Sequence, residues 1–275
     1  MDSSSNYSGS SVFGLLVPAL TVGMIGILTA GGESGFTDDG TGHEGDYYGK
    51  YYTYRNKFSP APWTFVVWFP IFIGNFATAL QYWKHRHNLD STSLLSMAPP
   101  YCLALMLNAS TPFIPIGYDF GICFLLFLSL CWTLQRMYNP TSEKLAAKWA
   151  VRTPVVMFWT WAGVATVVSG AQAYVGLSQA GNDVISSEMS SALLLCVNFV
   201  LAILGSILVD NVEIFAYTGV VAWANVGVAF EQREADGFLS SVSRTAIILA
   251  LCVIVVAVAK QASRWTGSDK KLNSG

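Results

Sequence analysis

Residues 58–83 read FSPAPWTFVVWFPIFIGNFATALQYW. About 20 apolar residues at ~1.5 Å each cross a hydrocarbon core of roughly 30 Å, and an α-helix satisfies its own backbone in lipid, so this stretch predicts a transmembrane helix. Pro60 and Pro62 stand at its mouth, where the first helical N–H groups have no partner to lose. Trp63 and Trp68 occupy its first turns, and Lys84 and Arg86 follow its end. Pro70 lies deeper. It deletes a hydrogen bond to the carbonyl of Val66 and predicts a kink just inside the tryptophans.

The rest of the chain has the same character. Hydrophobic residues make up 53% of the 275 and charged residues 12%, with a mean hydropathy of +0.46. Average soluble domains are about 45–50% apolar and about 25% charged, so this is an all-α polytopic membrane protein built as one membrane domain. A formal net charge of -2 gives no footing for nucleic acid.

In chain order, a polar tail (residues 1–10) precedes an apolar run from Val12 to Ala30. No Lys or Arg stands before that run, so it reads as a retained first span rather than a secretory signal. Residues 31–57 form a long acidic loop that turns tyrosine-rich and basic; its tyrosines suit an interfacial belt or a lid over a pocket. After the second span, a third runs from about Leu94 to Ile116, interrupted by Pro99 and Pro100. A fourth covers Tyr118–Met137 and a fifth Pro154–Leu177. Three more follow at Ser190–Val209, Val212–Phe230 and Val242–Lys260, giving eight, with a polar tail over 261–275. With eight spans, ten of the fifteen Lys and Arg residues fall on the side of both termini. The resistance of Lys and Arg to translocation then places both termini in the cytoplasm, or in a stroma or matrix.

No catalytic constellation emerges: HExxH, GxSxG, a Walker loop and paired intramembrane carboxylates are all missing from the sequence, which points away from an enzyme. Five cysteines fall in spans without metal-ligand spacing, and the three histidines lie outside them. The informative residues are the polar ones inside spans: Asn75, Asn108, Gln172, Asn198 and Asn225. Each is expensive in lipid unless it faces protein or a cavity, so each is either an interhelical hydrogen bond or part of a site. Span centres free of charge argue against a proton-coupled pump or an ion channel with a charged filter.

Four blocks carry a resemblance. FSPAPWTFVVWFPIFI resembles the second-helix signature of the translocator protein / tryptophan-rich sensory protein (TspO-like) family. LMLNAS, with Asn108, is similar to that family's third-helix leucine–asparagine motif, and RTPVVMFWTWAGVATVVSGAQ (152–172) to its fifth helix. EIFAYTGVVAWANVGVAFEQ (213–232) resembles a later helix of the long, eight-span branch. The resemblance implies a five-helix core over residues 11–178 and a three-helix extension over 190–260.

It also implies an apolar pocket for a flat hydrophobic ligand of the tetrapyrrole (porphyrin) or sterol class, with no covalent cofactor. Trp63, Phe65, Trp68, Trp159 and Trp161 offer π-faces for such a ligand, and Asn75, Asn108 and Gln172 can orient its polar edge. Trp63 suits an interfacial anchor equally well. Two function classes lead from these residues: a receptor, sensor or carrier for the ligand, or an assembly subunit of a larger membrane complex that docks lipids or pigments without transporting them. Eight spans with broken helices also permit a secondary transporter, although no inverted repeat is evident. The expected partners are the bilayer and a small hydrophobic ligand, with a homodimer or larger membrane complex as the assembly states left open.

Overall fold

The computed structural model describes residues 57, 59–85, 92–114, 118–137, 148–178, 186–209, 213–233 and 240–272. The first expected span and the acidic loop lie outside the described residues. Among those described there are seven α-helices and no strand: α1 (Trp68–His85), α2 (Thr92–Ser110), α3 (Asp119–Met137), α4 (Lys148–Ser178), α5 (Ser187–Leu208), α6 (Ile214–Glu231) and α7 (Ser241–Leu272). Six segments are long and apolar enough to cross a membrane, and they involve every described helix except α2. The chain is therefore an all-α polytopic membrane protein.

The helices fall into two compact units. One comprises α1–α4, and the other contains α5–α7 together with residues 57–65.

The helix α1 of the first unit follows directly on a 3₁₀ turn, Pro62–Val67. Pro70 thus sits in the first turn of the α-helix, and the disruption expected deep in one continuous helix is instead a change of helix type at Val67–Trp68. The physical reason is the one read from sequence: without an N–H, Pro70 cannot bond the carbonyl of Val66. Two faces of α1 separate cleanly. Ile71, Asn75, Thr78 and Ala79 are buried, whereas Phe69, Ile73, Phe76 and Leu80 are exposed. Both sets follow helical spacing, and the outer one is the face available to lipid.

The second helix of this unit differs from expectation in its bounds. It runs through Pro99 and Pro100 without interruption and ends at Ser110. There Ser110 Oγ donates to the carbonyl of Leu107 at 2.7 Å and Thr111 Oγ1 to that of Asn108 at 2.8 Å. These hydroxyls satisfy carbonyls of the last turn, and Pro112 prevents the α-helix from continuing.

The most enclosed span among the described residues is Arg152–Val175, on α4. It packs against both α1 and α3, while α2 packs against α3. The span comes close to α1 where Gly74 meets Pro154: a Cβ built on Gly74 would run into the Pro154 ring. On the other flank, Gly170 lies under the ring of Phe120, and Cys123 Sγ is 3.5 Å from Ser169 Oγ.

In the second unit, Ser186 caps α5 by accepting from the Met189 N–H at 3.2 Å. Asn198 and Asn225 form a reciprocal amide pair, each Nδ2 donating to the other's Oδ1 at 3.3 and 2.8 Å. Ser243 Oγ on α7 donates to the carbonyl of Ala229 on α6 at 2.7 Å. Gly205 accommodates the Tyr217 ring, which would lie 2.9 Å from an added Cβ. These contacts tie the three apolar helices together.

Gly74→Leu is expected to destabilise the first unit by about 1–3 kcal/mol through overpacking against Pro154. Gly121→Ala, where an added Cβ meets nothing within 4 Å, serves as its control and is expected to be neutral or stabilising by up to ~1 kcal/mol. Thermal unfolding of the two purified variants in detergent measures the difference, and equal midpoints would refute the tight α1–α4 seam.

Candidate functional site

Trp68 is the first residue of α1, and Phe72 one turn later shares its face. Their rings stack with centroids 5.2 Å apart and an interplanar angle of 14°. From α4, Phe158 and Trp161 meet Trp68 edge-on at 5.9 and 6.3 Å. The Trp68 side chain is only 7% exposed, and its indole N–H has no hydrogen-bond partner among the described residues.

Seven residues on, Asn75 is fully buried. Seven helical residues make almost two whole turns, so Asn75 lies on the Trp68 face about 10.5 Å along the axis. The Tyr101 hydroxyl, from α2, donates to Asn75 Oδ1 at 2.7 Å. That bond leaves the amide nitrogen directed elsewhere, and Nδ2 has no partner among the described residues. One face of α1 therefore presents two buried, unpartnered N–H donors. Leaving a buried donor unsatisfied costs about 1–3 kcal/mol. Apart from these, the other uncharged buried polar atom in this condition among the described residues is Ser190 Oγ, in α5.

The remaining sequence-derived candidates disperse. Trp159 and Trp161 are two residues apart, about 200° around a helix, so they cannot share a face. Trp159 turns toward α3, stacking on Phe127 at 5.7 Å and donating its N–H to Cys131 Sγ at 3.1 Å. Gln172 is buried on α4 but lies eleven residues past Trp161, about 16 Å along the axis. Asn108 is buried on α2, seven residues from Tyr101 and so on the same face of that helix. Trp63 and Phe65 are half-buried in the 3₁₀ turn. The ring contacts of Trp63 are with Trp223 at 4.9 Å and Phe230 at 5.9 Å, both on α6.

Sequence reasoning missed Tyr101, Phe72, Phe158 and Trp223. For Tyr101 a signal existed, since it stands seven residues before Asn108 on one helical face; the adjacent prolines obscured it by making the helix look broken. Phe72 follows Trp68 at i, i+4 and could have been found the same way.

What these features define is a class: a polytopic helical membrane protein whose buried interior is aromatic and in which one face of α1 carries two buried donors unpartnered among the described residues. The family profile described as TSPO-like protein matches residues 43–259. The chain belongs to that family, and the match runs across both helical units. Neither a curated protein nor a solved structure matches the chain.

The Asn75–Tyr101 bond is open to a double-mutant test. Tyr101→Phe is expected to cost about 1–3 kcal/mol, because it strands the Asn75 carbonyl oxygen as well as its nitrogen. Adding Asn75→Leu removes both stranded atoms and is expected to recover a substantial part of that loss. Thermal midpoints of the two single variants and the double variant measure it; additive losses would contradict the pairing.

Proposed function

We propose that this protein is a non-enzymatic membrane receptor, sensor or carrier for a flat hydrophobic ligand, of the tetrapyrrole or sterol class, bound against the Trp68 face of α1. Membership of the TSPO-like family supports a membrane sensor or ligand-binding role. The single observation that supports the particular site is the pair of buried, unpartnered donors Trp68 Nε1 and Asn75 Nδ2 on one helix face. In a low-dielectric interior such groups gain most from an acceptor brought by a ligand.

Flanking aromatic surface suits the rest of the molecule. Phe72, Phe158 and Trp161 surround the Trp68 ring, and large offset or edge-on π-contacts favour a planar hydrophobic partner. A ligand with carbonyl or carboxylate oxygens on an otherwise apolar frame would answer both donors. A tetrapyrrole bearing propionates is such a molecule, and a sterol offers a single hydroxyl. The proposed topology, resting on the Lys and Arg distribution, keeps both termini on the cytoplasmic, stromal or matrix side.

The test is a titration of the detergent-purified protein with protoporphyrin and, separately, with a sterol. Saturable quenching of tryptophan fluorescence is expected for the wild type. Trp68→Phe, which keeps an aromatic ring and removes the N–H, is expected to raise the Kd roughly tenfold. Trp132→Phe, on the exposed face of α3, is expected to leave it unchanged. A folded protein with no saturable quenching by either compound would refute the proposal and favour the assembly-subunit reading.

A further inference from the structure

The segment leading into α1 has an unusual way of being held. Ser59 and Ala61 each precede a proline, which confines them to extended backbone, and Pro60 and Pro62 have fixed φ and no N–H. Within Pro60-Ala61-Pro62 the only backbone donor is therefore that of Ala61. It donates to the carbonyl of Gly227, near the C-terminal end of α6, at 3.0 Å. One turn earlier on α6, the Trp223 indole N–H donates to the carbonyl of Thr64 at 2.9 Å. Trp63 packs edge-on against Trp223 and Phe230. Trp223, Gly227 and Phe230 stand at i, i+4 and i+7, so one face of α6 receives the segment at three points.

Gly227 is what lets the segment come so close. A Cβ there would collide with the Thr64 methyl and lie 3.3 Å from Pro60 Cβ. Within the segment, the N–H and hydroxyl of Thr64 both donate to the carbonyl of Ala61, at 3.0 and 2.6 Å. Ser243 of α7 binds α6 next to this face, at the carbonyl of Ala229. All of these contacts lie within the unit formed by residues 57–65 and α5–α7.

The consequence lies in the register of the chain. Thr64 contributes the carbonyl that a continuous α-helix would bond to the N–H of Trp68, four residues later. Here Thr64 is in the 3₁₀ turn, its carbonyl accepts from Trp223, and α1 begins at Trp68 itself. Six residues in 3₁₀ geometry span about 12 Å, against about 9 Å as α-helix. Freed from α6, residues 62–67 could wind into α1 and change how Trp68 is presented.

We propose that Trp223 and Gly227 are positioning residues for the Trp68 site: α6 clasps residues 60–64 and so fixes where α1 starts. The three-helix unit thus sets the ligand affinity of a residue outside it, through the covalent chain. This rests on the reading of Trp68 as ligand-binding.

The experiment uses the full chain in detergent and two variants, Trp223→Phe, which keeps the ring and removes the N–H, and Gly227→Ala. Protoporphyrin binding is followed by porphyrin absorbance, which losing one indole does not disturb. Hydrogen–deuterium exchange of peptides covering residues 59–72 is measured alongside. Trp223→Phe is expected to raise exchange in those peptides, to leave peptides of α2 and α3 unchanged, and to weaken binding roughly five- to tenfold. Gly227→Ala, if folded, is expected to do so more strongly. Wild-type binding that Trp223→Phe leaves intact, or unchanged exchange at 59–72, would overturn the clasp while leaving the Trp68 site standing. Failure of the wild type to bind would instead remove the ligand site and the clasp's proposed purpose together.

Discussion

In lipid every polar hydrogen must find its acceptor within the chain, because no water is there to supply one. The described helices meet that demand with little variety. Thr78, Thr133, Thr160, Thr166 and Thr218 each turn their hydroxyl back to the carbonyl four residues earlier. Asn198 and Asn225 do the same with one amide hydrogen each and spend the other on one another. Trp159 uses a thiol and Trp223 a backbone carbonyl. Against that pattern the indole of Trp68 and the amide of Asn75 stand out. Both are donors, and both are on the face of α1 that turns inward.

The same constraint explains the two close helix approaches. A neighbouring backbone can come closest to a helix where a side chain is missing. Gly227 exposes its carbonyl to Ala61, and Gly74 lets α4 come near α1 at Pro154. In the second case proline and glycine meet at a seam, so two residues that weaken isolated helices contribute to packing between them. The profile match extends from residue 43 to residue 259 and so includes the clasp on α6 as well as the aromatic face of α1.

Much of this was legible beforehand, for physical reasons. Length and hydropathy mark a span whatever it packs against, and so α1 and α3–α7 were recoverable from the sequence, although α4 starts at Lys148 ahead of the expected Pro154 and α7 runs on to Leu272, through residues expected as a polar tail after Lys260. Helical period was enough to pair Trp68 with Phe72 or Asn75. It was also enough to separate Trp159 from Trp161, which a grouping by residue type put together. α2 was harder, since two internal prolines break the pattern of a helix without breaking this one. The partner of Trp63 was not legible: Trp223 lies 160 positions away, and nothing local in either stretch names the other. Gly227 was invisible for the same reason, because a glycine inside an apolar helix shows its purpose only when the segment against it is known.

The central claim is that the Trp68 indole N–H waits for an acceptor that a ligand brings. Its most direct test is a ¹⁵N–¹H correlation spectrum of the indole groups, with Trp68 assigned by Trp68→Phe, recorded before and after saturation with protoporphyrin. The chain has nine tryptophans, and hydrogen bonding to an acceptor shifts the proton of the one that donates. The expected result is a downfield move of the Trp68 signal, with Trp159 and Trp223 keeping the positions set by their existing acceptors. A Trp68 resonance that stays in place under saturating ligand, or one already shifted in the ligand-free protein, would contradict the claim.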